Sequence, residues 1–330
     1  MDKIFENLNV KQKEAVKATE GRVRVVAGAG SGKTRVLAHR FAYLVNELGI
    51  SPSNILCMTF TNKAAQEMRN RIAKMVHQGH VNDFVCTIHG FCVKVLRRDI
   101  YRLGYPKNFV IHDDEDAKQF AKQVMEEFGI DYTKNTINKF LTDVSWHKMI
   151  GGSYAYIPNI VLPTAKKRDR KEEHHIERYI QLQVNNFALD FNDVIAFALH
   201  LFRNYDEVRK YWQERLNYVM VDEVQDCNLS DWELIETISQ RHGNLFVVGD
   251  PDQAIYEWRG SQPNTFVDFK ADTDIILAEN YRSTPNVLDV ANSIIANNKN
   301  RIKKDLFTQK DKAKKPSTIM ESQKKTRLHG

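Results

Sequence analysis

The chain has 330 residues, 42% of them hydrophobic and 27% charged, and its 48 Lys and Arg outnumber 42 Asp and Glu for a formal net charge of +6. That length calls for two domains or one with a large insertion, and mild basicity is compatible with a polyanionic partner. No apolar run reaches the ~18 residues of a membrane span, the start MDKIFENLNV has no apolar leader core, and Cys57, Cys86, Cys92 and Cys227 lack paired metal spacing; a soluble protein of the reducing cytoplasm is expected.

In chain order, LNVKQKEAVKA predicts a short amphipathic helix. RVRVVA (22–27) is a β-rich strand, followed by the Gly-rich GAGSGKT and a helix to about Glu47. NILCMTFT (54–61) predicts a buried strand and NKAAQEMRNRIAKMV a helix; FVCTIHGFCVKVLRR (84–98) reads as strand, turn and helix. Strands alternating with helices indicate a parallel, doubly wound sheet. From His112 to Leu189 the pattern is helical and charged with no strand alternation, looser around residues 151–170, so residues 111–190 predict a helical insertion. The α/β pattern resumes with LNYVMVDEVQD (216–226) and NLFVVGD (244–250). DIILAEN (274–280) is a further strand signal before the helix-like YRSTPNVLDVANSIIANN; beyond Asn300 the chain turns Lys-rich and patternless, and no repeats occur.

AGAGSGKT (27–34), between strand and helix, is the context of a phosphate-binding loop. Its amides suit a β-phosphate and the helix N-terminus adds partial positive charge, with Lys33 reaching the β- and γ-phosphates and Thr34 ligating Mg²⁺. Asp222 and Glu223 follow an apolar strand, the first suited to hold Mg²⁺ and the second to act as general base on water. VVGDPDQAIYEWRG (247–260) leaves a third strand at the same sheet edge, where open α/β sheets bind ligands. Gln253 is placed to reach a γ-phosphate, Tyr256 and Trp258 to stack on bases, and Arg259 to meet a backbone phosphate.

The segments LNVKQ, AGAGSGKT, TFTNKAA, TIHGFC, DFNDVI, VDEVQD, VVGDPDQAIYEWRGS and ENYRST, in this order, resemble the superfamily 1 DNA helicases of the UvrD/Rep/PcrA type from about Leu8 to Asn300. The resemblance implies a RecA-like P-loop NTPase sheet with an inserted helical subdomain. It implies ATP and Mg²⁺ as cofactors, single-stranded DNA and duplex junctions as partners, and 3′-to-5′ translocation. By the same resemblance, ATP contacts fall on Gln12 as reader of adenine, on Ala27, Gly28, Ala29, Gly30, Ser31, Gly32, Lys33, Thr34 and Arg35, on Tyr281 as its stacking partner, and on Arg282 as a finger-like contact to the γ-phosphate. Gln225 and Asp226 complete the acidic box. DNA contacts fall on Phe60, Thr61, Asn62, Thr87, His89, Tyr256, Trp258 and Arg259. The chain departs from the family pattern at Ala27, Ile88 and Val224, where Gly, Phe and an aromatic are usual.

The expected organisation is a RecA-like ATP-binding domain of residues 1–110 and 191–278, the inserted subdomain 111–190, and the start of a second RecA-like domain at 279–330. From about residue 317 the tail STIMESQKKTRLHG no longer resembles the family, and a frameshift of a longer gene is expected. With half of a two-domain ATP site, turnover is expected to be very slow or absent. A nucleotide-switched DNA-binding module without motor activity is the alternative.

Overall fold

The computed structural model of the chain describes residues 2–76, 84–149, 154–161, 174–298 and 301–311. The divergent tail from about residue 317 lies outside them.

Helices α1 (Asp2–Phe5) and α2 (Val10–Lys17) precede strand β1 (Arg22–Ala27), which runs through a glycine-rich loop into α3 (Lys33–Asn46). Then come β2 (Ile55–Thr59), α4 (Asn62–Ala73), β3 (Val85–Thr87) and α5 (Ile88–Asp99). Strand β4 (Val110–Ile111), helices α6 (Asp114–Glu127), α7 (Lys134–Met149) and α8 (His175–Asn185), and strand β5 (Ala188–Leu189) form the next stretch. After α9 (Phe191–Asn204) and α10 (Asp206–Arg215), the chain returns through β6 (Tyr218–Val221), α11 (Leu229–Ser239), β7 (Leu245–Gly249), α12 (Pro263–Val267), β8 (Thr273–Leu277) and α13 (Pro285–Ile295).

Six strands make one sheet in the order β3-β2-β6-β7-β1-β8, every neighbouring pair parallel. Parallel pairs need long crossovers, and the intervening helices supply them. Alternate residues of each strand enter opposite cores: Val23, Val25, Ile55, Cys57, Met220, Phe246 and Val248 pack with α2, α3 and α4, whereas Val26, Leu56, Met58, Val219, Val221 and Val247 pack with α5, α9 and α11. Helices cover both faces, as a sheet of near-continuous Val, Ile and Leu requires. This is the α/β fold with a mostly parallel sheet that the sequence predicts.

Through Leu189 the sequence predicts helix without strands, and β5 corrects that: Val110 and Ile111 pair in parallel with Ala188 and Leu189. Two residues per strand are too few for alternation to register. Directly after β5, Asp190 enters a buried charge cluster. Lys148 Nζ donates to Gln183 Oε1, Asp190 Oδ2 and Asp193 Oδ2, each at 2.7 Å, and Tyr156 Oη donates to Asp193 Oδ1 at 2.7 Å. Asp190 is also the N-cap of α9, with Asp193 closing a capping box.

Candidate functional site

Strand β1 delivers the glycine-rich loop to the carboxyl edge of the sheet. Gly32 (φ +90°) precedes α3 and offers no capping side chain, so the first amides of α3 point at an open site. Gly30 (φ +69°) has the second left-handed conformation; a Cβ there would come within 2.8 Å of Arg282 Cβ and Asn280 Nδ2. Ser31 ties the loop to itself, its hydroxyl donating to the Gly28 carbonyl at 2.7 Å. Ala27, where a glycine is usual, is the buried last residue of β1 and pairs with Leu277, a position that needs no glycine. The loop bounds a cleft of about 330 Å³ lined by residues 28–35 together with Arg71, Glu223, Gln253, Tyr281 and Arg282.

The acids arrive from β6. Lys33 Nζ lies 2.8 Å from Glu223 Oε2. Glu223 has φ +50°, rare for a residue with a side chain, and is held there by the surrounding box. Its backbone N–H donates to Asp222 Oδ1 at 3.1 Å, and Gln225 Nε2 donates to its Oε2 at 3.0 Å. Burial, reinforced by the Glu223 charge, pushes the Asp222 carboxyl up to about 7. Asp226 rises to about 6 for the same two reasons. A buried carboxyl raised in this way fits a site completed by a cation, and Thr34 and Asp222 together offer the hard oxygen donors that Mg²⁺ takes.

Behind the loop, Gln12 is fully buried; its Nε2 donates to the Ser31 carbonyl at 2.8 Å and its Oε1 accepts from the Asn9 N–H at 3.1 Å. Each contact uses one hydrogen-bonding position of the amide and leaves a second, so the group can still both donate and accept. Asn9 Nδ2 donates to Glu279 Oε2 and to Tyr281 Oη, both at 2.8 Å, and the Arg35 guanidinium lies 5.8 Å from the Tyr281 ring centroid. Tyr281 is tied to the loop by its N–H, which donates to the Gly30 carbonyl at 2.9 Å. Hydrogen bonds thus tie the start of α2, the glycine-rich loop and the segment after β8 to one another.

The predicted DNA residues lie at or after the carboxyl ends of β2, β3 and β7, the edge that also carries the cleft. Phe60 and Tyr256 stack with centroids 5.2 Å apart, and Trp258 is 75% exposed. Thr61 and Thr87 cap α4 and α5 through their hydroxyls, accepting from Ala64 N–H at 3.1 Å and Gly90 N–H at 3.0 Å, and Asn62 opens α4 on the surface. His89 is half-buried on the first turn of α5, and burial holds its imidazole below the ordinary value. The side chain of Arg259 lies outside what the structure describes.

The sequence profile of the UvrD/REP helicase N-terminal domain matches residues 8–274. The chain belongs to that family. It is 39% identical over 319 residues to the ATP-dependent DNA helicase PcrA of Staphylococcus aureus (strain Mu50 / ATCC 700699), covering 93% of this chain and 42% of the relative. It is 38% identical over 331 residues to the PcrA of Bacillus subtilis (strain 168), covering 96% and 43%. The chain thus spans about two fifths of the length of the curated relatives it matches.

In this UvrD/REP-type domain two residues join the site that the motifs did not single out. Arg71 reaches the cleft from α4, with no local pattern to distinguish it from the other bases of that helix. Phe191, inside the DFNDVI segment, is 58% exposed at the start of α9 and meets the His89 ring edge-to-face at 5.7 Å. An apolar residue set directly after the N-cap Asp190 was the available signal. Among the described residues, no helix is long and apolar enough to cross a membrane.

Lys33 gives the simplest check of the cleft, because it lines the cleft with its ammonium paired to Glu223. Lys33→Ala is expected to weaken ADP and ATP binding by roughly 10- to 150-fold, the equivalent of one lost hydrogen bond between charged groups. Titration of a fluorescent nucleotide into both chains measures it, and equal affinities would separate the loop from nucleotide binding.

Proposed function

We propose that this chain is the ATP-binding and single-strand-binding portion of a DNA helicase that moves 3′ to 5′. The observation that carries this reading is the cleft itself: Lys33 stands 2.8 Å from Glu223, and Gln253, on the same wall, begins the loop that ends in the exposed Trp258. On this reading one continuous loop joins a phosphate site to an aromatic surface.

On this reading residues 1–110 and 191–278 form the motor domain, residues 111–190 the inserted subdomain, and residues from 279 the start of a second RecA-like domain. Loop amides from Gly28 to Thr34 hold the phosphates, Lys33 moves from Glu223 to the β- and γ-oxygens, and Arg282 and Gln253 face the γ-phosphate. Thr34 and Asp222 would hold Mg²⁺, which supplies charge neutralisation to the phosphate oxygens when bound. Glu223, once released by Lys33, takes a proton from a water whose oxygen attacks the γ-phosphorus; the bond to the β–γ bridging oxygen breaks, and ADP leaves with phosphate. Gln12 and Tyr281 bound the base. Phe60, Tyr256, Trp258, Phe191 and His89 supply stacking surfaces for a single strand, flanked by Thr61, Asn62, Thr87 and Arg259. Four buried cysteines without disulfides among the described residues suit a cytoplasmic setting.

Phosphate release measured with and without oligo-dT tests the reading, with stimulation by the oligonucleotide expected. Nucleotide-dependent DNA affinity without turnover would instead identify a switched binding module. Failure to bind either ligand would remove the proposal altogether. Trp258→Ala and Phe191→Ala are each expected to weaken oligo-dT binding by about 1–3 kcal/mol, the worth of one stacked base, in an anisotropy titration. Loss at only one of the two would confine the stacking role to that residue.

A further inference from the structure

Beyond α13 the chain turns back across the carboxyl edge of the sheet. The Asn280 N–H donates to the Phe307 carbonyl at 2.7 Å, and the Phe307 N–H to the Ala278 carbonyl at 3.1 Å. Asn292 grips Leu306 on both sides, donating to its carbonyl at 2.9 Å and accepting from its N–H at 3.1 Å, and Leu306 packs so closely over Gly28 that no Cβ fits there. This return lowers Lys304 between two acids of the loop that carries Gln253. Lys304 Nζ is 2.5 Å from Asp250 Oδ1 and 2.5 Å from Asp252 Oδ2, and none of the three side chains is more than 4% exposed. Asn298 Nδ2 donates to Asp252 Oδ1 at 3.2 Å, and the Arg301 guanidinium lies 3.5 Å from Asp252 Oδ2.

The second oxygen of Asp250 matters for the cleft, because it accepts from the side-chain amide of Gln253. The Asp250 N–H donates to Gln225 Oε1 at 2.9 Å, and Gln225 in turn donates to Glu223 at 3.0 Å. Gln253 therefore takes its orientation from a carboxylate that is itself held from one side by the acidic box and from the other by Lys304. Two buried carboxylates two residues apart repel each other, and they keep this geometry because an ammonium lies between them. Without it, the acids would turn toward water and carry Gln253 with them.

We propose that Lys304 is a positioning residue for Gln253: it fixes Asp250 and Asp252, and so makes recognition of a γ-phosphate depend on the segment after α13. The inference rests on the nucleotide-site reading above and adds to it a fixed link between that segment and the γ-phosphate end of the cleft. Tyr281 and Arg282 belong to the same body, since Lys310 Nζ donates to the Arg282 carbonyl at 3.0 Å. A displacement of this segment would then reach the cleft at Gln253 and Arg282 together. The stretch RIKKDLF, patternless in the sequence, acquires a role only through this return.

The test is the ratio of affinities for a β,γ-imido triphosphate and for ADP, measured on the full chain by competition against a fluorescent nucleotide. Gln253→Ala is expected to lower the ratio by at least about fivefold. Lys304→Met should lower it to the same value, and the double variant should show no further loss, since both act through one contact. An unchanged ratio in a folded Lys304→Met chain would overturn the proposal, as would equal losses for both nucleotides, which mark a structural role. If Lys304→Met does not fold, Lys304→Gln, which also removes the ammonium and keeps both acids, takes its place: a lowered ratio supports the proposal, and an unchanged ratio or equal losses overturn it. A wild-type chain that binds neither nucleotide would reject the nucleotide site itself, an outcome distinct from an altered ratio.

Discussion

Glu223→Gln is expected to bind ATP at least as tightly as the wild type while hydrolysing it about 10²–10⁴ times more slowly, the range of a lost general base. The two effects have opposite signs because Glu223 has two partners. In the structure its carboxylate holds Lys33 Nζ at 2.8 Å, and a triphosphate must compete for that ammonium. The glutamine amide has no charge with which to retain it. The same charge contributes, after burial, to the raised Asp222 carboxyl, so its removal favours the ionised form that a magnesium ion needs. The backbone is spared: Gln matches Glu in size and tolerates the left-handed φ of +50° no worse. Single-turnover hydrolysis beside equilibrium binding separates the two outcomes. Binding and turnover falling together would show that Glu223 serves chiefly to hold Lys33 in place, and a chain with unchanged turnover would remove it from the chemistry.

How much of this site is legible in the sequence follows from the sheet order. Strands β6, β7 and β1 are neighbours, so the residues directly after Val221, Gly249 and Ala27 converge at one edge. Each motif is a strand end followed by polar residues, and adjacency in the sheet turns three local patterns into one cleft. Gln12 was legible for a similar reason, since LNVKQ also encodes the Asn9–Gln12 capping box of α2 that fixes its amide. Arg71 was not, because it reaches the cleft from the last turns of α4 and nothing local marks it. Lys304 was still less so: its partners lie 54 and 52 positions earlier, and only the return of the chain after α13 brings them together. Phe191 stands between these cases, within a recognised motif yet readable as one more apolar helix residue. It directly follows the N-cap Asp190.

That cap leads to the second large effect. Lys148→Met is expected to destabilise the chain by about 3–5 kcal/mol, the usual result of stripping a buried ion pair of one partner. Lys148 is 1% exposed, and its three acceptors, Gln183, Asp190 and Asp193, come from α8 and the start of α9, so the loss falls where the helices of the insertion meet the sheet domain. Burial and the neighbouring Asp190 charge already push the Asp193 carboxyl up to about 6, while Lys148 holds Asp190 below its ordinary value. With the ammonium gone, both carboxyls rise. A carboxyl whose folded value exceeds its unfolded one binds protons more tightly in the folded state, so its stability contribution is present at low pH and lost as pH rises through the folded value. Denaturant midpoints should therefore show a smaller deficit at pH 5 than at pH 8. Because Asp190 caps the helix whose first residue is Phe191, oligo-dT affinity should fall as well, even under conditions where the variant is folded. A deficit independent of pH would place the loss in packing around the aliphatic stem, and unchanged DNA affinity would show that the cap of α9 survives without its lysine.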